Sequence, residues 1–158
     1  MFRAFGSIGN WKYDGETPFQ TREDQTNRIL EEGNIDLTGT KVGNAPQTSF
    51  GFGFNYNIVG GLSVDAAYNI YTDLYGFVDA KDVIKAAQRN EVYQAERLSP
   101  YSVLDAGITY KLNFGGNAFT IRGNVYNATN QTYLSQKDSF GYYYGNGRTW
   151  NASVRYDF

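Results

Sequence analysis

Sixteen carboxylates and fourteen Lys or Arg side chains carry all the ionic chemistry of this 158-residue chain, which has neither His nor Cys. The commonest general base, the commonest metal ligand and the thiolate nucleophile are therefore excluded. What remains is carboxylate chemistry. Asp65 with Asp73, or Asp79 with Asp82, could act as acid/base pairs or calcium ligands. No stretch has the oxygen-ligand spacing of a calcium loop, so they read as solvated charges instead. Gly51-Phe52-Gly53 lacks the remaining glycine spacing and following helix of a nucleotide loop. Its glycines suit close packing on one side of a strand. No catalytic constellation, metal site or cofactor site emerges, and the chain is expected not to be an enzyme.

Two features suggest binding. Tyr142, Tyr143 and Tyr144 could stack on a ligand ring, because Tyr offers area and a hydroxyl at low entropic cost. The plainer and preferred reading is an aromatic belt or loop packing. Arg148 could pair with a ligand carboxylate or phosphate. A structural ion pair is the preferred role for it too.

The elements that must position these residues are strands. With 14 Tyr, 11 Phe and 18 Gly, the composition suits strands and turns better than helices. A net charge of −2 gives no argument for a nucleic-acid partner, and none is expected. No stretch reaches the ~20 apolar residues of a membrane helix. Residues 1–10 contain no signal-peptide apolar run, so export would require a signal further upstream.

Six stretches alternate with period two. From Trp150 to Phe158 every even position is apolar or aromatic and every odd one polar or charged. The same rhythm runs through Phe119–Val125, Leu104–Leu112, Leu62–Ile70 and Phe50–Ile58. It is weaker over Phe2–Tyr13, where Phe5 and Trp11 break phase. With each strand phased by its apolar residues alone, Asp65, Asp105, Lys111, Arg122, Arg155 and Asp157 all fall on the opposite side, together with Asn124. Chance would do this for the six charges roughly once in 64 trials. A charge-free face with aromatics near strand ends (Tyr56, Tyr110, Phe114, Phe119, Trp150, Phe158) suits hydrocarbon between two interfacial belts. The charged face suits a watery lumen.

Connections alternate in length. Val59-Gly60-Gly61 and Gly115-Gly116-Asn117 are tight turns, whereas residues 14–47, 78–98 and 127–147 are long links. Outer-membrane barrels alternate in this way. Asp79–Arg97 could hold a short helix, and Glu23–Glu32 one turn. The fold expected is an all-β, antiparallel, up-and-down barrel segment of about six strands, spanning residues 1–158 as one unit. Six strands fall short of the ~8 of the smallest common barrels, so the chain is expected to be incomplete.

Several blocks resemble TonB-dependent outer-membrane receptors. Arg122-Gly123-Asn124-Val125-Tyr126-Asn127-Ala128-Thr129-Asn130-Gln131-Thr132-Tyr133 resembles a segment near the end of those proteins, with Ala128 where Leu is frequent. Tyr144-Gly145-Asn146-Gly147-Arg148-Thr149-Trp150 is similar to their entry into the final strand. Pro100 to Tyr110 and Gly43-Asn44-Ala45-Pro46-Gln47 resemble earlier steps, in matching order, from about residue 41 onward; residues 1–40 fit only loosely.

The resemblance implies the last strands of a barrel of about 22 strands, without its plug domain. It implies a Gram-negative outer membrane, with the C-terminus in the periplasm and the long links outside. It further implies import of a scarce nutrient (an iron–siderophore, cobalamin or a glycan) energised through the TonB complex. Membrane lipid and the barrel-assembly machinery would be further partners, the latter reading Phe158 and Tyr156 in the final strand. The alternatives are a small barrel acting as adhesin or passive pore, and a soluble β-sandwich binding module.

Overall fold

The computed structural model describes residues 1–158. In chain order the elements are β1 (Phe2–Ile8), β2 (Glu16–Arg22), β3 (Ile29–Asp36), β4 (Thr48–Val59), β5 (Leu62–Thr72), β6 (Leu74–Tyr75), α1 (Ala80–Gln88), β7 (Arg97–Leu98), β8 (Tyr101–Phe114), β9 (Asn117–Tyr126), β10 (Leu134–Asp138), β11 (Gly141–Tyr144) and β12 (Thr149–Asp157). The six strands that carry the alternation form one antiparallel sheet in the order β1-β4-β5-β8-β9-β12. Each strand lies beside the next of the six, as in an up-and-down wall. The sheet does not close. One edge of β1 and one edge of β12 have no partner strand.

Both tight turns are two-residue Gly-Gly connections. Gly60 and Gly61 have φ of 54° and 86°, and Gly115 and Gly116 have 56° and 86°. Positive φ at both central residues is the type I′ requirement, whose twist matches that of the strands it joins. Gly61 meets a second constraint. A Cβ there would stand 2.0 Å from the carbonyl oxygen of Lys111 on β8, the residue whose amide donates to the Gly61 carbonyl at 2.9 Å.

The long links hold more structure than their mixed patterns suggested. The first folds into the β2–β3 hairpin, with a turn over Asp24–Thr26 where one was expected between Glu23 and Glu32. The second contains the expected helix, framed by the short β6–β7 pair. Asp79 caps α1 by accepting the Lys81 amide at 2.9 Å, and Val83 and Ala86 are the helix residues that become buried. The third forms the β10–β11 hairpin. Every non-glycine residue at positive φ is Asn or Asp: Asn27, Asn44, Asp73, Asn90, Asn127 and Asn130. Their short polar side chains tolerate the left-handed region best.

Burial is concentrated at this loop end. Leu37, Leu74, Val83, Ala86, Ala95 and Leu98 are the buried apolar side chains, and none lies in the six-stranded sheet. A single sheet has nothing of its own to bury either face against; the links do, because they fold onto one another.

Candidate functional site

Strand register assigns every sheet residue to a face, because directly paired residues share a side. One continuous row runs Ala4, Phe52, Tyr68 and Leu104. Others run Val64, Ile108, Gly123 and Ala152, and Tyr110, Ile121 and Val154. No residue of this face carries a charge. The charged strand residues Arg3, Asp65, Asp105, Lys111, Arg122, Arg155 and Asp157 all project from the other face, as does Asn124.

The apolar face has no second layer over it. Phe52 is 55% exposed, Ile108 51% and Val154 64%. Aromatics gather toward the Gly-Gly turns, where Phe114 and Tyr156 have ring centroids 6.5 Å apart and Tyr156 and Phe158 6.1 Å apart. Tyr56, Tyr110 and Phe119 belong to the same end. Toward the links, Trp150 stands on this face at 80% exposure.

The polar face is organised by small residues that let long ones lie flat. Arg122 on β9 reaches across β8 to Asp65 on β5. Its Nη1 and Nη2 donate to Asp65 Oδ1 and Oδ2 at 2.9 and 3.1 Å, and Nη1 also donates to Thr109 Oγ1 at 2.7 Å. Gly107 lies beneath this brace. A Cβ there would be 2.8 Å from Arg122 Nη2 and 2.8 Å from Asp65 Oδ2. The Phe5 ring lies over Gly51 and the Arg3 side chain over Gly53 in the same manner. The break in phase at Phe5 therefore has a structural reason: the ring fills the space left by its glycine partner.

Further along this face, Asn124 Nδ2 donates to Asn151 Oδ1 at 2.7 Å. Arg155 pairs with Asp157 at 2.7 Å. Lys111 is exposed near the Gly115-Gly116 turn. Asp73 pairs with Arg97 at 2.7 Å and Asp82 with Lys85 at 3.5 Å, so the carboxylates considered for chemistry are engaged in pairs and caps.

At the loop end the recurrent sequence blocks become joints. Asn127, 2% exposed with φ 48°, donates through Nδ2 to the carbonyls of Gln131 and Asn146 at 2.9 and 3.0 Å. Its Oδ1 accepts the Gln131 amide at 2.9 Å, and its own amide donates to Asp105 Oδ1 at 2.9 Å. Asn130 Oδ1 accepts the Arg148 amide at 3.0 Å. Tyr133 stacks on Tyr101 at 4.1 Å, with Gly145 so close that a Cβ would meet its ring at 2.0 Å. In the earlier block, Gly43 abuts the Gly76 carbonyl, Asn44 donates its amide to Tyr75 O at 2.8 Å, and Gln47 is 1% exposed with Nε2 donating to Trp11 O at 2.9 Å. Gln47, Asn127 and Tyr133 had shown themselves in the sequence only as parts of those blocks.

The three tyrosines do not form one surface. They follow one another along β11, so Tyr142 and Tyr144 share a side and Tyr143 has the other. The Tyr142 hydroxyl donates to Glu96 Oε1 at 2.7 Å, which pushes its pKa up; the Asp138 carboxylate pushes Tyr143 up. Tyr144 is 68% exposed. The Arg148 side chain is exposed, and it is the backbone of Arg148 that is tied down, to Asn130 in the link after β9. Lys137 Nζ also pairs with Glu96 and lies 5.3 Å from the Tyr142 ring centre. Lys137 and, after it, Tyr142 hold the Glu96 carboxylate below its ordinary range.

Such an arrangement offers a two-faced wall and a packed set of loops. In a comparison with protein families, the model described as TonB dependent receptor-like, beta-barrel, matches residues 2–128. That match takes in the first forty residues, which resembled the family only loosely, and ends before β10, β11 and β12. No curated protein and no solved structure matches the chain.

Proposed function

This chain belongs to the TonB-dependent receptor β-barrel family, an outer-membrane nutrient-transport family, and we propose that it forms one sector of the wall of such a transporter. Its six-stranded sheet is a segment of a barrel with both edges open, and in the complete wall further strands pair with β1 and β12. The apolar face meets lipid. The face carrying Asp65, Asp105, Lys111, Arg122, Asn124 and Arg155 lines the lumen. The links holding β2–β3, α1 and β10–β11 stand outside the cell, and the Gly-Gly turns and Phe158 face the periplasm, where Phe158 and Tyr156 serve barrel assembly. The cargo is a scarce nutrient of the siderophore, cobalamin or glycan kind, drawn in with TonB-coupled energy. Tyr144 and Arg148, exposed at the loop end, are the better placed of the ligand-contact candidates; Tyr142 and Tyr143 carry hydrogen bonds within the loops.

One observation carries this reading. Seven strand charges, from five of the six strands, share one face, and the other is both uncharged and uncovered. A β-sandwich would need a second layer over Phe52, Ile108 and Val154. A small self-contained barrel would need its sheet closed.

The test is site-directed labelling in the complete reading frame reconstituted in lipid. Single cysteines at Ile108, Val154 and Phe52 should react with a membrane-soluble maleimide and be shielded from a charged one. Cysteines at Thr109, Asn151 and Asn55 should show the reverse. Equal reactivity toward the charged reagent on both faces, or a protein that stays monomeric in water without detergent, would defeat the assignment.

A further inference from the structure

The β10–β11 hairpin touches the rest of the molecule at few points. Its base is closed by the Gly145 amide donating to Tyr133 O at 2.9 Å, with Tyr133 stacked on Tyr101 of the wall. Beyond the base, its attachments converge on two residues of one side, Lys137 and Tyr142, which are register partners across the hairpin.

The Lys137 main chain joins both other links. Its amide donates to Asn44 Oδ1 at 3.3 Å, and its carbonyl accepts the Phe77 amide at 3.0 Å. Its side chain runs along Gly76, where a Cβ would be 3.1 Å from Lys137 Cδ, and ends on the Glu96 carboxylate. The second oxygen of that carboxylate accepts the Tyr142 hydroxyl. Glu96 is itself fixed by its carbonyl, which accepts the Gly76 amide at 2.8 Å. The tip beyond is built to project. Asp138 Oδ1 accepts the Phe140 and Gly141 amides at 2.8 and 3.2 Å, and Phe140 stands 91% exposed.

We propose that Glu96, Lys137 and Tyr142 form a clasp that holds the β10–β11 hairpin against the link containing α1, and that opening this clasp frees the hairpin as a unit while the wall stays folded. The backbone bonds of Lys137 and the Tyr133 stack serve as the pivot; the carboxylate is the catch. Both catch atoms lie at side-chain ends with solvent beside them, so the clasp can open without unpacking the buried cluster around Leu74 and Leu98. A ligand group that competes for Glu96 or for the Tyr142 hydroxyl would release the aromatic tip. The inference concerns contacts among the links and holds whichever way the sheet meets a membrane.

Amide hydrogen exchange of the full chain in detergent micelles, read by peptide mass spectrometry at constant pH, tests it. Lys137→Met and Glu96→Gln should each raise exchange across residues 134–144 roughly three- to tenfold and leave β5, β8 and β9 unchanged. Tyr142→Phe should give a smaller rise, and Ser139→Ala at the tip none. Because Lys137 and Glu96 act through one contact, the double variant should exchange no faster than the faster single one. Unchanged exchange in Lys137→Met, a rise spread equally through the wall strands, or additive effects in the double variant would each overturn the clasp.

Discussion

The Arg122–Asp65 brace makes a prediction whose sign, not only its size, is diagnostic. The two side chains are 39% and 25% exposed and are joined by contacts of 2.9 and 3.1 Å, with Thr109 accepting a third bond at 2.7 Å. Exposed pairs contribute about 0.2–1 kcal/mol, and breaking fully buried ones costs about 3–5 kcal/mol. Half-burial and doubled geometry place this one at about 1.5 kcal/mol. Gly107→Ala inserts a Cβ 2.8 Å from Arg122 Nη2 and 2.8 Å from Asp65 Oδ2, inside normal contact distance, so the guanidinium and carboxylate must part. The same substitution removes glycine from a strand interior, which by itself stabilises by about 0.5–1 kcal/mol. In the native background the lost brace dominates, and Gly107→Ala should destabilise by about 0.5–1 kcal/mol. In an Asp65→Ala/Arg122→Ala background both neighbouring side-chain ends are gone and no ion pair remains to be broken, and it should stabilise by a similar amount. Urea midpoints in detergent micelles, converted through a common m-value, measure both. Equal effects of Gly107→Ala in the two backgrounds would refute the idea that Gly107 exists to let the brace cross β8.

Four other outcomes follow from the same structure. Val154→Arg, on the uncharged face, should cost about 2–4 kcal/mol in a bilayer; Asn151→Arg, on the charged face, forfeits one hydrogen bond and should cost under about 1.5 kcal/mol. Both are read as folding yield into vesicles. Asn127→Ala removes a buried hub and leaves a non-glycine residue in the left-handed region, for a loss of about 3 kcal/mol; Asn127→Gly should recover about 1 kcal/mol of it, by thermal melting. Gly61→Ala should prevent a native-like turn, because its Cβ meets the backbone of Lys111, whereas Gly60→Asn, with open space around it, should melt within a few degrees of the parent. The clasp should also respond to pH. The groups facing Glu96 are Lys137 and Tyr142; Glu96 is lowered from 4.5 and Lys137 raised from 10.5. The contribution of Glu96 is complete above 4.5 and is lost as pH falls through the depressed value; that of Lys137 is complete below 10.5 and is lost as pH rises through the elevated one. Spin labels on Ser139 and Lys81 should therefore report one distance at neutral pH and a distribution that broadens as acid protonates Glu96.

The six wall strands, their order and both turns were legible because each rests on local rules. Period-two alternation places Val154 opposite Arg155 whatever lies elsewhere, and Gly-Gly between two such runs demands a tight reversal. The helix was legible through Asp79 and the Ala- and Lys-rich run behind it. The link hairpins were not, since Ile29-Leu30-Glu31-Glu32 shows no alternation and becomes a strand only by pairing with β2. The contacts that organise the polar face join residues far apart in sequence: Arg122 with Asp65, and Lys137 with Glu96. Charge type alone could not pair them. The three adjacent tyrosines suggested one platform because composition carries no side; as a strand, β11 divides them. Asn127 stood inside a recognisable block, but its reason, a left-handed turn held by several hydrogen bonds, needs the folded loop.

The Gly61 turn bears on how such a wall can diversify. A Cβ at that position would meet the main chain of the adjacent strand, so a larger residue does not fit without uncoupling β8 from β5. The β4–β5 reversal is thereby held to glycine at its second position, while Gly60 beside it and both glycines of the β8–β9 reversal face open space, so that rim is constrained at a single point.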